Sequence, residues 1–194
     1  MKFVNFLDET AAEEMCQKCG TGPWDNAVGR VNAKIEELQK YLNARIVHFP
    51  MMTLGQMPEG SKYKVKTMIT ANVTVGTGFF SEFSQGISDM FGVINTESGM
   101  SYKVNSGEAA ARTILANKAM SMDANCVIGV DIDYGTTANN AATINMQGTA
   151  VRVSNLAEIL DEPDFRKAEQ IQAAFDGIRL RHGWLKGNLT DKVG

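Results

Sequence analysis

Between Lys62 and Val75 apolar and polar residues alternate almost without a break. Tyr63, Val65, Thr67, Ile69, Ala71, Val73 and Val75 fall on one phase; Lys62, Lys64, Lys66, Met68, Thr70, Asn72 and Thr74 fall on the other. A period of two is that of a strand with one buried face. Gly76-Thr77-Gly78 ends it, and the aromatic-dense stretch Phe79–Phe91 reads as a loop and a short helix. From Met100 to Met122 the period changes. Met100, Val104, Ala111, Ile114, Leu115 and Met122 recur at sums of three and four, around the run Ala109-Ala110-Ala111. That spacing predicts a long helix, weakened locally by Gly107 and closed by Asp123 in a left-handed conformation. A second strand follows over Cys126–Tyr134. Cys126, Ile128, Val130, Ile132 and Tyr134 are expected on one face, with Asp131 and Asp133 on the other. Gly135–Ala142 reads as a polar turn. A third strand, Thr143–Val153, shifts its apolar phase from even to odd positions around Gly148, which predicts a β-bulge there.

The flanks are helical in pattern. Gly20, Gly22 and Pro23 break the chain, Asp25 is expected to cap a helix, and Val28, Val31, Ile35, Leu38 and Leu42 form one apolar stripe. The stripe packs either on its own domain or against a second subunit. Asp161 ahead of Glu162-Pro163 opens the last helix. Phe165, Ala168, Ile171, Phe175 and Ile178 line its apolar side, and Gly183 is expected to stop it. Three regions result: residues 1–44 with the first helix, 45–154 with the sheet, and 155–194 with the last helix and tail. The fold class is α+β, with order strand, helix, strand, strand.

Hydrophobic residues make up 44% of 194, enough for a real core. The balance of 19 basic and 22 acidic residues, net −3, gives no basic excess to drive binding to nucleic acid or anionic lipid. The opening MKFVNFLDETAAEE has neither the length nor the cleavage pattern of a signal peptide, and no apolar run is long enough for a membrane span. An odd set of three cysteines fits a reducing compartment, so a cytoplasmic location is expected.

Two of those cysteines form Cys16-Gln-Lys-Cys19. Two thiolates at this spacing can reach one soft metal ion such as zinc. A structural zinc site takes four ligands, and no second pair follows. Completion would draw on His48 or His182, on a carboxylate such as Asp25, or on a second subunit. Cys126, inside a strand, reads as a buried small hydrophobe. Asp131 and Asp133, about 6.5–7 Å apart along a strand, could hold a hard cation, but read more simply as a solvated face. Lys62, Lys64 and Lys66 read as an exposed strip. Gly76-Thr77-Gly78 lacks the spacing of a phosphate loop. No serine or cysteine sits in a nucleophile motif, and two histidines leave little scope for a triad, so no enzyme is expected.

Four stretches together resemble the YbjQ family, often labelled heavy-metal-binding: Tyr63–Gly76, the helix carrying Ala111-Arg112, the segment Asp123–Tyr134 ending in GVDIDY, and Gly148-Thr149-Ala150-Val151. The resemblance covers roughly Arg45–Val153. It implies a two-layer β-α-β-β domain with an antiparallel sheet, similar to the dodecin subunit, assembling as a homo-oligomeric ring of five or as two stacked rings, with no established activity. The chain departs from the family pattern at Val93-Ile94-Asn95, which lacks a Gly-Gly pair, and at Asp123-Ala124-Asn125-Cys126. One helix covers one face of a three-stranded sheet, so Met68 and the Phe79–Phe91 aromatics are expected to bury against a neighbour. Two functions follow as expectations: a non-enzymatic binding protein taking a metal ion on Cys16 and Cys19, or a scaffolding ring whose terminal helices recruit a protein partner.

Overall fold

A computed structural model describes residues 2–8, 17–75, 99–136 and 141–189. The elements in chain order are α1 (Lys2–Asp8), α2 (Gln17–Arg45), a 3-10 turn (Ile46–His48), β1 (Tyr63–Val75), α3 (Gly99–Ser121), β2 (Cys126–Thr136), β3 (Ala142–Val153), a second 3-10 turn (Leu156–Glu158) and α4 (Glu162–Leu185). The Phe79–Phe91 cluster, Gly76–Gly78 and the Asn139-Asn140 turn tip lie outside the described residues. The fold is α+β with a three-stranded antiparallel sheet in the order β1-β3-β2. The chain divides into two compact units, one of Asn43–Gln172 and one of Met1–Leu42 with Ala173–Gly194.

In the first unit α3 covers one sheet face. Ala110, Ala111, Leu115, Ala116, Ala119 and Met120 are buried on it, as are Ile69, Ala71, Val73, Ile144 and Met146 on the strands. Each large apolar side chain withdrawn from water in this way contributes about 1.5–3 kcal/mol. Small residues bring helix and sheet together. A Cβ on Gly107 would stand 2.2 Å from Ile144 Cδ1 and 3.0 Å from Val75 Cγ2. Gly107 therefore marks the closest approach of α3 to the sheet, a role beyond the local helix weakness its composition suggests.

The strand phases depart from the simple alternation. On β1, Val65 lies opposite Val151 and Thr67 opposite Ala150, so Lys66 is one residue extra. On β2, Ile128 lies opposite Thr149 and Asp131 opposite Gln147, again one residue extra, with Gly129 at φ 60°. Such an extra residue is a β-bulge, and every side chain beyond it changes face. The expected bulge at Gly148 is therefore corrected. Gly148 sits in register opposite Ile69, and the bulges lie on the two strands flanking β3. The phase change that suggested it has another cause. Ile144 and Met146 face α3, whereas Val151 and Val153 face a second apolar layer on the other side of the sheet, with Cys126, Ile128, Leu156 and Ala168. Gly148 is required for a different reason: a Cβ there would meet Val127 Cγ1 at 2.5 Å.

Two other expectations are corrected. Asp25 caps no helix, because α2 begins at Gln17 and runs through Pro23. An interior proline costs about 3 kcal/mol. Packing beyond it in the helix offsets that cost: Ala27 and Val31 are buried with Phe3, Val4 and Trp184, and the Trp24 ring lies 5.0 Å from Phe3. Gly183 does not stop the last helix. The stop is Gly187 at φ 90°, where the Asn188 N–H reaches the Gly183 carbonyl and the Gly187 N–H reaches that of Trp184, a Schellman closure. In this second unit the α2 stripe is answered from within the chain. Val28, Val31 and Ile35 share a cluster with Leu180, Trp184 and Leu185 of α4.

Candidate functional site

Of the two cysteines expected to hold a metal, Cys16 lies outside the described residues and Cys19 falls in the first turn of α2. His48, at the end of the first 3-10 turn, and His182, on α4, are both exposed. Asp25 is exposed on α2. Among the described residues no group of three or more His, Cys, Asp and Glu side chains comes together.

Cys126 is the first residue of β2 and is fully buried. Burial pushes its thiol up to about 12, only partly offset by a backbone hydrogen bond at Val127. It is therefore a protonated thiol, inert as a nucleophile at neutral pH. The sequence reading of a buried small side chain holds for it.

The Gly129 bulge reassigns the rest of β2. Asp131 and Asp133 pair with Gln147 and Asn145, on the face turned away from α3, the same face that carries Cys126 and Ile128. Ile132 and Tyr134 pair with Met146 and Ile144 on the helix side. The expectation that Cys126, Ile128, Ile132 and Tyr134 share a face is thus overturned by one extra residue. Asp131, Asp133, Asn145, Gln147 and Asn72 are all exposed there, and Gln147 Nε2 donates to Asp131 Oδ2 at 3.3 Å. A hard cation asks for six or more oxygens in a convergent cage. This row offers two carboxylates on successive same-face positions of an open strand, one already bonded to an amide, and acts as a solvated face.

The three lysines also separate. Lys64 pairs with Arg152, while Lys66, at the bulge, reaches Asp123 at 3.3 Å, and Arg152 approaches the same carboxylate at 3.5 Å. Asp123 carries the expected left-handed backbone, φ 59°. A second polar array was not legible in the sequence. The Tyr134 hydroxyl donates to Glu108 Oε2 at 3.1 Å, and Arg112 bonds Glu108 Oε1 from Nε at 3.0 Å and from its terminal nitrogen at 2.9 Å. Glu108 and Arg112 are one helical turn apart, but only the β2 bulge brings Tyr134 over them. Partial burial, then the Glu108 carboxylate, push the phenol upward.

The family model described as "Putative heavy-metal-binding", YbjQ, matches residues 50–154, more than half of the chain. The chain belongs to the YbjQ family. Its YbjQ region is similar to a protein of Geobacillus kaustophilus named UPF0145, 31% identical over 88 residues, which are 45% of this chain and 82% of that one. A Clostridium botulinum UPF0145 protein is 33% identical over 89 residues, 44% of this chain and 81% of its own. Among solved structures, a protein of unknown function of the DUF74 family from Pediococcus pentosaceus matches 54% of this chain and 96% of its own at 14% identity, with a TM-score of 0.38. The YbjQ match spans β1, α3, β2 and β3 and leaves α1, α2 and α4 outside it. Among the described residues no helix is long and apolar enough to cross a membrane.

Proposed function

We propose that this chain is a non-enzymatic, homo-oligomeric binding protein that takes a heavy metal ion such as zinc on the Cys16 and Cys19 thiolates. The observation that carries the reading is the Cys16-Gln-Lys-Cys19 pair itself, two soft ligands at a spacing that reaches one ion. The description of the YbjQ family points the same way. Because zinc takes four ligands and a CxxC pair supplies two, a neighbouring subunit supplies the remaining ligands. Assembly as a ring of five, or as two stacked rings, is part of the proposal. It is supported by a sheet face that leaves Val65 62% and Met68 68% exposed in the single chain. No catalytic step is proposed.

The second reading is a scaffolding ring that recruits a protein partner through the terminal helices. It draws on the separation of those helices into a compact unit with its own apolar cluster.

Native mass spectrometry on protein purified without added metal or chelator tests both. A pentamer or decamer carrying zinc that disappears in Cys16→Ser/Cys19→Ser supports the first reading. A metal-free ring, unchanged by that double substitution, refutes it and leaves the second.

A further inference from the structure

Seven consecutive residues, 62–68, are exposed where the chain enters β1 and runs through its first half. β1 lies at the rim of the sheet, with β3 on its inner side. Lys62 turns both of its backbone groups inward, its N–H to Asn155 Oδ1 and its carbonyl to the Ser154 N–H, each at 2.8 Å. Alternation along an antiparallel strand then turns the N–H and carbonyl of Tyr63 and Val65 outward. Farther along, Lys118 Nζ donates to the Thr70 carbonyl at 2.7 Å and closes the rim there. The other rim is covered at its start by the chain itself. The Val127 N–H reaches the Pro50 carbonyl at 3.0 Å, the Met52 N–H the Val127 carbonyl at 2.8 Å, and the Gly129 N–H the Leu54 carbonyl at 2.8 Å. Among the described residues no such backbone bond reaches the outer side of β1.

The side chains of this open stretch are sorted by face. Tyr63, Val65 and Met68 lie opposite Val153, Val151 and Thr149, on the side away from α3. They are 41%, 62% and 68% exposed. The extra residue at Lys66 keeps Met68 in line with the other two, since strict alternation would have put Thr67 there. The α3 side is basic. Lys64 lies directly opposite Arg152, a like-charged cross-strand pair. Lys66 and Arg152 both reach Asp123, at 3.3 and 3.5 Å, so this end of the sheet sets three cations against one carboxylate.

Lysines and a bulge on an edge strand guard it against a copy of itself, because β1 against β1 would set lysine against lysine. A strand of opposite charge meets no such barrier. We infer that residues 62–68 form a docking edge for an extended acidic peptide of a partner protein, added to the sheet as a fourth strand. Its backbone pairs with the outward groups of Tyr63 and Val65. Acidic side chains on its α3 side meet Lys64 and Arg152 and relieve the like-charged pair. Apolar side chains alternate with them and extend the strip of Tyr63, Val65 and Met68. An added strand lies beside β1 in the plane of the sheet, so the sheet face offered to a second copy stays available. The edge is separate from Cys16 and Cys19 and from the terminal helices, and stands or fails apart from them.

The probe is a short, fluorescein-labelled, end-blocked peptide alternating glutamate with valine, titrated with the full-length protein by fluorescence polarisation. Its control has the same composition with the glutamates gathered in one block. The alternating peptide is expected to bind about tenfold or more tighter than the blocked one, and to weaken with salt. Val65→Pro removes an outward N–H, leaves the bonds to β3 in place, and abolishes binding. Lys64→Glu gives Arg152 an opposite partner and weakens the alternating peptide by about tenfold or more; it decides the matter if Val65→Pro does not fold. No binding, equal binding of the two peptides, or unchanged affinity in Lys64→Glu overturns the proposal. So does a native mass spectrum in which Val65→Pro breaks up the assembly while the wild type takes no peptide, a result that assigns the edge to a second copy.

Discussion

Replacing Gly107 by alanine places a methyl carbon 2.2 Å from Ile144 Cδ1, inside van der Waals contact, at the closest approach of α3 to the sheet. Ile144 is fully buried and cannot swing outward. Overpacking of this kind costs about 1–3 kcal/mol, while alanine gains about 1 kcal/mol over glycine in a helix interior. Gly107→Ala therefore nets a loss of about 0–2 kcal/mol. Ile144→Val removes the atom in severest conflict, Cδ1, leaving contacts of 3.0 Å to Val75 Cγ2 and 3.2 Å to Cγ1, and alone costs about 0.5–1.5 kcal/mol. Together the new methyl occupies the space that Cδ1 vacates, and the double variant is expected within about 0.5 kcal/mol of wild type, a favourable coupling of about 0.5–3 kcal/mol. Urea unfolding of the four proteins at one fixed protein concentration measures it, since assembly would shift apparent stability. Costs that simply add would refute the claim that Gly107 is there to admit Ile144.

Asn125 acts as a piece of backbone at the sheet end, donating from Nδ2 to the Val153 carbonyl at 2.9 Å and accepting the Val153 N–H on Oδ1 at 2.7 Å; Asn125→Ala is expected to cost about 1–3 kcal/mol in the same assay. Asp123→Ala forces a β-carbon into left-handed backbone without the polar side chain that tolerates it and loses about 1–2 kcal/mol, whereas Asp123→Gly relieves the strain, gives up two exposed ion pairs, and leaves stability near wild type. The Cys126 thiol titrates near 12 when folded against a reference of 9.0. Its folded pKa is the raised one, so its contribution is complete below pH 9 and is lost as pH climbs towards 12, by up to about 1.4 kcal/mol per pH unit. Wild type should lose stability faster than Cys126→Ala over that window, and parallel pH profiles would contradict the burial argument. In Cys16→Ser/Cys19→Ser protein, a thiol reagent at neutral pH should label Cys126 only after denaturant is added, as intact mass would show.

The sequence patterns found every described strand and the three long helices to within a few residues, apart from the start of α2, because period and composition agree there: β-branched residues alternate in β1 and β3, and alanines crowd α3. What alternation cannot reveal is a single inserted residue. Lys66 and Gly129 look like ordinary members of their strands, yet each reverses the faces that follow, and the sharing of a face by Asp131, Asp133 and Cys126 comes from that. Pro23 misled in the opposite sense, since a strong local breaker was overridden by the burial of Ala27 and Val31, farther along the helix, with Phe3 and Val4. The Cys16–Cys19 pair was legible as a motif, but its partners depend on what a second copy brings.

Gly129 works along β2 as a reading-frame shift works along a message: the symbols downstream are unchanged, but what each one means is not. Deleting this one residue would restore strict parity and turn the end of the strand inside out, driving Asp131 and Asp133 against α3 and lifting Ile132 and Tyr134 into water. Relatives of this chain are thus free to lengthen or shorten the β2–β3 connection, but a length change between Ile128 and Asp131 has to arrive with a second, compensating one or with a rewritten pattern of side chains. Strand parity, more than any individual side chain, is what natural variation in this part of the molecule has to respect.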